Sequence, residues 1–154
     1  MYLVCRPLLS GRLPGGLGDA RFNNAVLEMG YRWLAGRQPD FFSSPVQFYP
    51  RANTIAYSDS LLTAAPPYWL LRAAGLVPVK AFAGWVTFWV AANFLAMFAL
   101  ARKLQLSPLE ASCAALLFAT GLPRIAQLNH IQLFVHAFTP LAYLSAIAAF
   151  QSLQ

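Results

Sequence analysis

The fold is decided by residues 81–101, whose sequence AFAGWVTFWVAANFLAMFALA contains no charged side chain. A helix of about 20 apolar residues is long enough to cross the hydrocarbon core of a bilayer. This stretch therefore predicts a transmembrane helix. Asn93 is its one strongly polar residue, and we expect the Asn93 side chain to face protein rather than lipid.

Two further apolar segments follow this helix. The sequence Ser107-Pro108-Leu109-Glu110 combines a capping box with proline at the first helical position, and it predicts a helix over 108–122. That helix is short for a full span, so it is tilted, buried among other helices or partly re-entrant. Residues 131–150 predict a third span, bent at Pro140, after the polar interruption at 124–130.

The composition agrees with an all-α, polytopic membrane protein. Hydrophobic residues make up 58% of the chain, charged residues make up 10%, and the mean hydropathy is +0.52. A soluble domain has about 25% charged residues. A soluble enzyme or binding module of this size would have to bury more apolar surface than a small domain can enclose.

The net charge of +6 comes from eleven basic residues that are scattered along the chain. They form no Lys/Arg run, and no nucleic-acid-binding motif accompanies them, so nucleic acid is not an expected partner. Anionic membrane lipid or a phosphate-bearing substrate fits this charge better.

An amphipathic helix is predicted ahead of the spans, at residues 20–35. Its apolar face repeats at steps of three and four residues and consists of Phe22, Val26, Met29 and Trp33. Asp19 stands at the expected N-cap, and Gly36 is the expected stop. Glu28 and Arg32 have the spacing of a solvated i,i+4 ion pair.

A second short helix is predicted over 59–74. Ser58 or Asp59 would cap its start, and Gly75 would end it. The dipeptide Pro66-Pro67 must kink or interrupt it. The aromatic-rich loop between the two helices suits a membrane–water boundary, a sugar-stacking surface or ordinary packing.

The chain thus divides into three parts: a leader with a glycine-rich loop (1–18), a polar segment with short helices (19–78) and membrane helices (79–154). The glycine-rich loop contains no nucleotide-binding pattern. The two histidines, His130 and His136, lie on different helix faces and do not predict a metal site.

Six short motifs occur in order along most of the chain. They are Gly18-Asp19-x-Arg21-x-Asn23-Asn24, Phe48-Tyr49-Pro50, Tyr57-Ser58-Asp59-x-Leu61-Leu62, Leu70-Leu71-Arg72-x-x-Gly75-Leu76, Leu106-Ser107-Pro108-Leu109 and Gly121-Leu122-Pro123-Arg124-x-x-Gln127-x-x-His130. In this order they resemble the N-terminal part of bacterial polytopic membrane proteins of the GT-C glycosyltransferase superfamily, the type that uses lipid-phosphosugar donors.

The resemblance implies an arrangement and an activity. In that superfamily a first span leads into a large extracytoplasmic loop with short amphipathic helices, and an aspartate of the loop is the catalytic base. The donor is a polyprenyl-phosphate-linked sugar. Residues 19–78 would then face the exterior of a bacterial inner (plasma) membrane, with Asp19 as the base and Asp59 as a second candidate.

Further residues of the motifs are candidates for substrate or phosphate binding. Arginine makes bidentate contacts to phosphate, which makes Arg21 and Arg124 candidates, and His130 would bind phosphate or relay a proton. Asn24 and Tyr57 complete the candidate set. The simpler alternatives are that Asp19 and Asp59 act only as helix caps and that Arg124 and His130 are ordinary interfacial residues. A divalent metal stays open as a cofactor.

The chain departs from the superfamily pattern in two respects. The first span precedes the Gly-Asp motif in the superfamily, whereas here only residues 1–9 stand in its place. Superfamily members also have more than the three spans predicted here. We therefore expect a fragment whose missing remainder would be a partner. The alternative is a non-catalytic integral membrane protein, such as a scaffold, an accessory subunit or a degenerate relative.

Overall fold

The computed structural model describes residues 17–42, 50–51, 53–122 and 130–153, and every regular element within them is helical. The α-helices are α1 (Leu17–Leu34), α2 (Pro66–Ala73), α3 (Pro78–Lys103), α4 (Pro108–Thr120) and α5 (Phe138–Gln151), with 3₁₀ turns at Thr54–Tyr57 and Ile131–Phe134. The all-α prediction is confirmed for this part of the chain. The predicted leader up to residue 16, together with Phe48, Tyr49 and Arg124, lies outside it.

The chain forms two compact units. The first unit comprises Met1–Val86 with Asn129–Gln132, and the second comprises Thr87–Leu128 with Leu133–Gln154. Helix α3 begins in the first unit and ends in the second. The short segment at 129–132 therefore brings residues from far along the chain into the first unit.

Helix α1 agrees with the predicted amphipathic helix but begins earlier, at Leu17. Asp19 consequently lies inside the first turn, so its assignment as the N-cap is wrong. The helix ends as predicted. Gly36 has a φ of 66°, and the amide of Arg37 donates to the carbonyl of Arg32, which closes a Schellman motif.

The apolar face of α1 packs into the core of the first unit. Val26 and Met29 from α1, Phe41 from the following loop and Ile55 from the first 3₁₀ turn are buried together. Three residues pack against them and are partly buried: Phe22, Leu61 and Leu62. Trp33, the last member of the predicted face, is exposed.

The second predicted helix is shorter than expected. It starts at Pro66 rather than residue 59, and the two prolines occupy its first positions, where a missing N–H group costs no hydrogen bond. The predicted start at residue 59 and the cap at Ser58 or Asp59 are therefore wrong, and Pro66-Pro67, predicted to kink or interrupt the helix, instead begin it. The predicted stop is confirmed, since Gly75 has a φ of 91° and ends α2.

Helix α2 packs closely on α1 because α1 has a glycine at the contact. A Cβ atom on Gly30 would lie 3.0 Å from the ring of Trp69, closer than side chains normally approach. Trp69 Nε1 also donates to the carbonyl of Leu27 over 3.3 Å. The close approach brings polar residues of α2 against α1.

In the second unit, α4 begins as predicted. Ser107 Oγ accepts from the amide of Glu110, and the Glu110 carboxylate accepts from the amide of Ser107. Asn93 in α3 is 0% exposed, and it faces protein as predicted. Its Nδ2 donates to the carbonyl of Phe134 over 2.6 Å, and its Oδ1 accepts from the amide of His136 over 3.2 Å.

Two described segments are long and apolar enough to cross a membrane: 78–103 and 131–151. Helix α4 has 13 residues and does not qualify, so the three predicted spans reduce to two candidates. The predicted bend at Pro140 is also misplaced. The helix is interrupted between Phe134 and Phe138, and Pro140 lies in the first turn of α5.

Candidate functional site

The first unit brings together two residues that lie 111 positions apart in sequence. Asp19 in the first turn of α1 and His130, just before the second 3₁₀ turn, are joined by a hydrogen bond of 2.7 Å between Oδ2 and Nδ1. Both side chains are open to solvent, with exposed fractions of 40% for Asp19 and 61% for His130. Both residues belong to the predicted site.

The chemistry of the two groups determines where the proton of this bond lies. An ionised carboxylate can only accept, so Nδ1 of His130 donates in this bond, and in the neutral form of the ring Nε2 is an acceptor. Among the described residues, neither Nε2 of His130 nor Oδ1 of Asp19 has a hydrogen-bond partner. The pair thus presents two proton-accepting atoms to solvent, with the imidazole oriented by the carboxylate.

A second bond joins the same two segments. Asn23 Nδ2 donates to Gln132 Oε1 over 2.8 Å, and Asn23 is 1% exposed. Asn23 follows Asp19 by four residues, so both lie on one face of α1. Ile131, between His130 and Gln132, is fully buried.

The buried amide bond is the stronger of the two links. The exposed Asp19–His130 contact contributes about 0–1 kcal/mol because water competes for both groups. Leaving a buried amide unsatisfied costs about 1–3 kcal/mol. The position of residues 130–132 on α1 therefore depends more on Asn23 than on Asp19.

Further along α1, Glu28 forms a charged network with α2. Arg72 donates to both carboxylate oxygens of Glu28, from Nε to Oε2 over 2.7 Å and from Nη2 to Oε1 over 3.0 Å. The Tyr68 hydroxyl lies 3.0 Å from Glu28 Oε2 and 3.2 Å from Asn24 Oδ1. Its single proton favours the charged oxygen.

Three further contacts complete this network. Arg32 Nε donates to Glu28 Oε1 over 3.3 Å, and Arg72 Nη1 donates to the carbonyl of Leu76. The guanidinium of Arg72 lies 5.1 Å from the ring centre of Tyr31. The predicted Glu28–Arg32 pair therefore forms, but its solvated character is wrong, because Glu28 is buried and also bonds to α2.

The network determines the ionisation of its members. Burial raises the pKa of Glu28, but the hydrogen bonds from Arg72 and Tyr68 outweigh it and hold that pKa below its ordinary value of 4.5. Burial and the neighbouring Glu28 charge raise the pKa of Tyr68, which stays neutral. The hydrogen bond to Glu28 likewise raises the pKa of Arg72. The network is thus a fixed ion pair that joins α1 to α2.

Among the described residues, none of the other predicted site residues is hydrogen bonded to the Asp19–His130 pair. Arg21 is exposed and follows Asp19 by two residues, which places it on another side of α1. Asn24 is turned toward Tyr68. Tyr57 is 91% exposed and Asp59 is exposed, and neither is hydrogen bonded to the pair in the described chain. Arg124 lies outside the described residues.

Sequence reasoning missed the roles of Asn23, Gln132 and Arg72. Asn23 belongs to the quoted Gly-Asp motif, and its four-residue spacing from Asp19 was a usable signal. Arg72 also belongs to a quoted motif, but nothing in its spacing points to Glu28, which precedes it by 44 residues. Gln132 carries no signal of its own.

The described residues contain no cluster of three or more His, Cys, Asp or Glu side chains that could hold a metal ion. No protein family model, curated protein or solved structure matches this chain.

Proposed function

We propose that this chain is a bacterial inner-membrane glycosyltransferase, or a fragment of one, that transfers a sugar from a polyprenyl-phosphate donor to an extracytoplasmic acceptor. The observation that carries the proposal is the 2.7 Å bond between Asp19 and His130. These residues belong to two separate motifs of the GT-C resemblance, and a carboxylate–imidazole pair is suited to accepting a proton.

The character of the apolar segments supports a membrane location. Within the chain, 39% of the most apolar stretch of 78–103 is buried, and for 131–151 the value is 17%. A core helix of a soluble protein would be mostly buried. Helices that expose apolar side chains over most of their surface are stable in lipid or among other membrane helices.

The pair would act on the acceptor hydroxyl. The acceptor oxygen loses its proton to the pair and forms a bond to the anomeric carbon of the sugar. The bond from that carbon to the donor phosphate breaks, and polyprenyl phosphate leaves with the bonding electrons. Configuration at the anomeric carbon is inverted. Such a base contributes about 10²- to 10⁴-fold to the rate.

The departing phosphate needs positive charge or hydrogen-bond donors. Arg21 is exposed in the first unit and has no ion-pair partner in the described chain. We propose it for the phosphate together with Arg124, and Asn24 and Tyr57 for contacts with the rest of the donor or acceptor.

The test is the Asp19→Asn variant of the complete gene product in membranes. The probe is a panel of polyprenyl-phosphate-linked hexoses with radiolabelled sugar, and the readout is label transferred to membrane acceptors. We expect transfer to be abolished while the amount of inserted protein is unchanged. Asp40→Asn is the matched control, because Asp40 is an exposed carboxylate that bonds only to the amide of Phe42 among the described residues.

Normal transfer by Asp19→Asn would refute its role as the base. If Asp59→Asn abolished transfer while Asp19→Asn did not, the second candidate carboxylate would take that role.

A non-catalytic membrane protein is the second candidate, and one observation favours it. The Asn23–Gln132 bond lies beside the Asp19–His130 pair, so both bonds could simply fasten residues 130–132 to α1. On this alternative, no tested donor is consumed by the wild-type protein. Asp19→Asn then alters only stability.

A further inference from the structure

The side-chain amides of Asn23 and Gln132 lie next to the proposed Asp19–His130 pair, but they do not titrate and cannot accept the proton themselves. We propose that Asn23 and Gln132 are positioning residues, which hold His130 Nδ1 on Asp19 and leave Nε2 as the proton acceptor. The assignment rests on the proposed function for its catalytic meaning, but the geometry can be tested without sugar transfer.

The spacing of the four residues carries this inference. Asp19 and Asn23 are one turn apart on α1, while His130 and Gln132 flank the buried Ile131. The bond between Asn23 and Gln132 therefore fixes which residue of the opposing segment lies against Asp19. Without it, the only hydrogen bond between Asp19 and His130 is open to solvent, and water competes for such contacts.

Positioning has a consequence for the imidazole. A histidine free in water exchanges between its two neutral tautomers, whereas a bond from Nδ1–H to Asp19 selects one of them. The tautomer of His130 thus reports whether the ring is held. The chain has only two histidines, so the ring nitrogens of His130 and His136 can be assigned by one substitution.

The experiment is nitrogen NMR of the full-length chain with labelled histidine, in detergent micelles, at a pH where the rings are neutral. We expect the wild-type His130 to show the Nδ1–H tautomer. Asp19→Ala should lose this preference, and Gln132→Ala should lose it too, although it leaves Asp19 intact. Asn24→Ala is the matched control: it removes a neighbouring amide that contacts Tyr68 instead, and should leave the His130 tautomer unchanged.

Asn23 is buried, so Asn23→Ala can disturb folding as well as the pair. The double exchange Asn23→Gln with Gln132→Asn keeps an amide bond of the same total length and should restore the single tautomer. Retention of the Nδ1–H tautomer in Gln132→Ala, with the His136 signals unchanged, would overturn the proposal. So would loss of the tautomer in Asn24→Ala to the same extent.

The outcome separates this proposal from the proposed function. If Gln132→Ala frees the ring but Asp19→Asn still transfers sugar, positioning stands and the catalytic role fails. If the ring stays fixed in Gln132→Ala while Asp19→Asn abolishes transfer, the positioning proposal alone is wrong.

Discussion

The two units satisfy their buried polar side chains in different ways. In the first unit, Asn23 and Glu28 bond to side chains from distant segments, Gln132 and Arg72. In the second unit, Asn93 bonds to the backbone at the break in helix before α5. The first arrangement selects particular partners, and its Asn23–Gln132 bond joins the same two segments as the proposed Asp19–His130 pair. The second compensates for an interrupted helix.

The largest effect should come from breaking the charged network of the first unit. Replacing Arg72 by Met leaves the buried Glu28 without its bidentate partner. Because breaking a buried pair strands a charge, we expect the free energy of unfolding to fall by about 3 kcal/mol. Denaturant titration in detergent micelles, followed by tryptophan fluorescence, measures it.

Arg32→Met is the matched control for Arg72→Met, since Arg32 contacts the same carboxylate but is 58% exposed. Its loss should cost less than about 1 kcal/mol. Equal losses of unfolding free energy in the two variants would show that the Glu28–Arg72 contact between α1 and α2 is not the main stabilising contact of Glu28.

In the second unit, Asn93→Leu should destabilise by about 2 kcal/mol. It removes the side-chain bonds to the carbonyl of Phe134 and the amide of His136 and leaves the bond between these two backbone groups. The same unfolding measurement applies, and Ser112→Ala is the control because the Ser112 hydroxyl bonds to its own helix at an exposed position. An unchanged free energy of unfolding in Asn93→Leu would mean that the backbone groups at the break in the helix are satisfied without the Asn93 side chain.

Acid should weaken the first unit through Glu28. Its pKa in the folded chain is below the ordinary value of 4.5, so its ionised form stabilises the fold. That contribution is complete above the unfolded pKa and is lost as the pH falls from about 4.5 through the folded pKa. The free energy of unfolding should be measured between about pH 6 and pH 3, a range that spans the pKa values of carboxylates. It should show this loss in the wild type and much less of it in Arg72→Met.

The smallest effect is expected at the capping box of α4. Ser107→Ala removes the acceptor for the Glu110 amide and should cost about 1 kcal/mol. Hydrogen exchange of the first amides of α4 should rise, while exchange in α1 stays the same. Unchanged protection at α4 would show that packing alone holds its start.

The features that the sequence predicts correctly are mostly local. The capping box at Ser107 and the stops at Gly36 and Gly75 are local patterns, and they were predicted. The inward orientation of Asn93 follows from the cost of a polar group in lipid. Glu28, in contrast, has a local partner at the ideal spacing, and this partner concealed its main contact with Arg72, 44 residues away.

Part of the candidate site was also within reach of the sequence. Asp19 and His130 both belong to motifs of the resemblance, but no periodicity relates positions 111 residues apart, so the sequence does not predict their contact. The supporting Asn23–Gln132 bond depends on the 3₁₀ turn at Ile131–Phe134, whereas the sequence predicts this segment as the start of a span that bends at Pro140. Pairings made by such a turn depend on tertiary packing.

The most direct test of the central claim is a double-mutant cycle on sugar transfer with Asp19→Asn and His130→Phe in the complete gene product. If the two residues act as one proton-accepting pair, each single variant should lose about 100-fold or more of the rate, and the double variant should be no slower than the slower single one. Losses that multiply in the double variant, or full activity in either single variant, would contradict the pair as the reactive element.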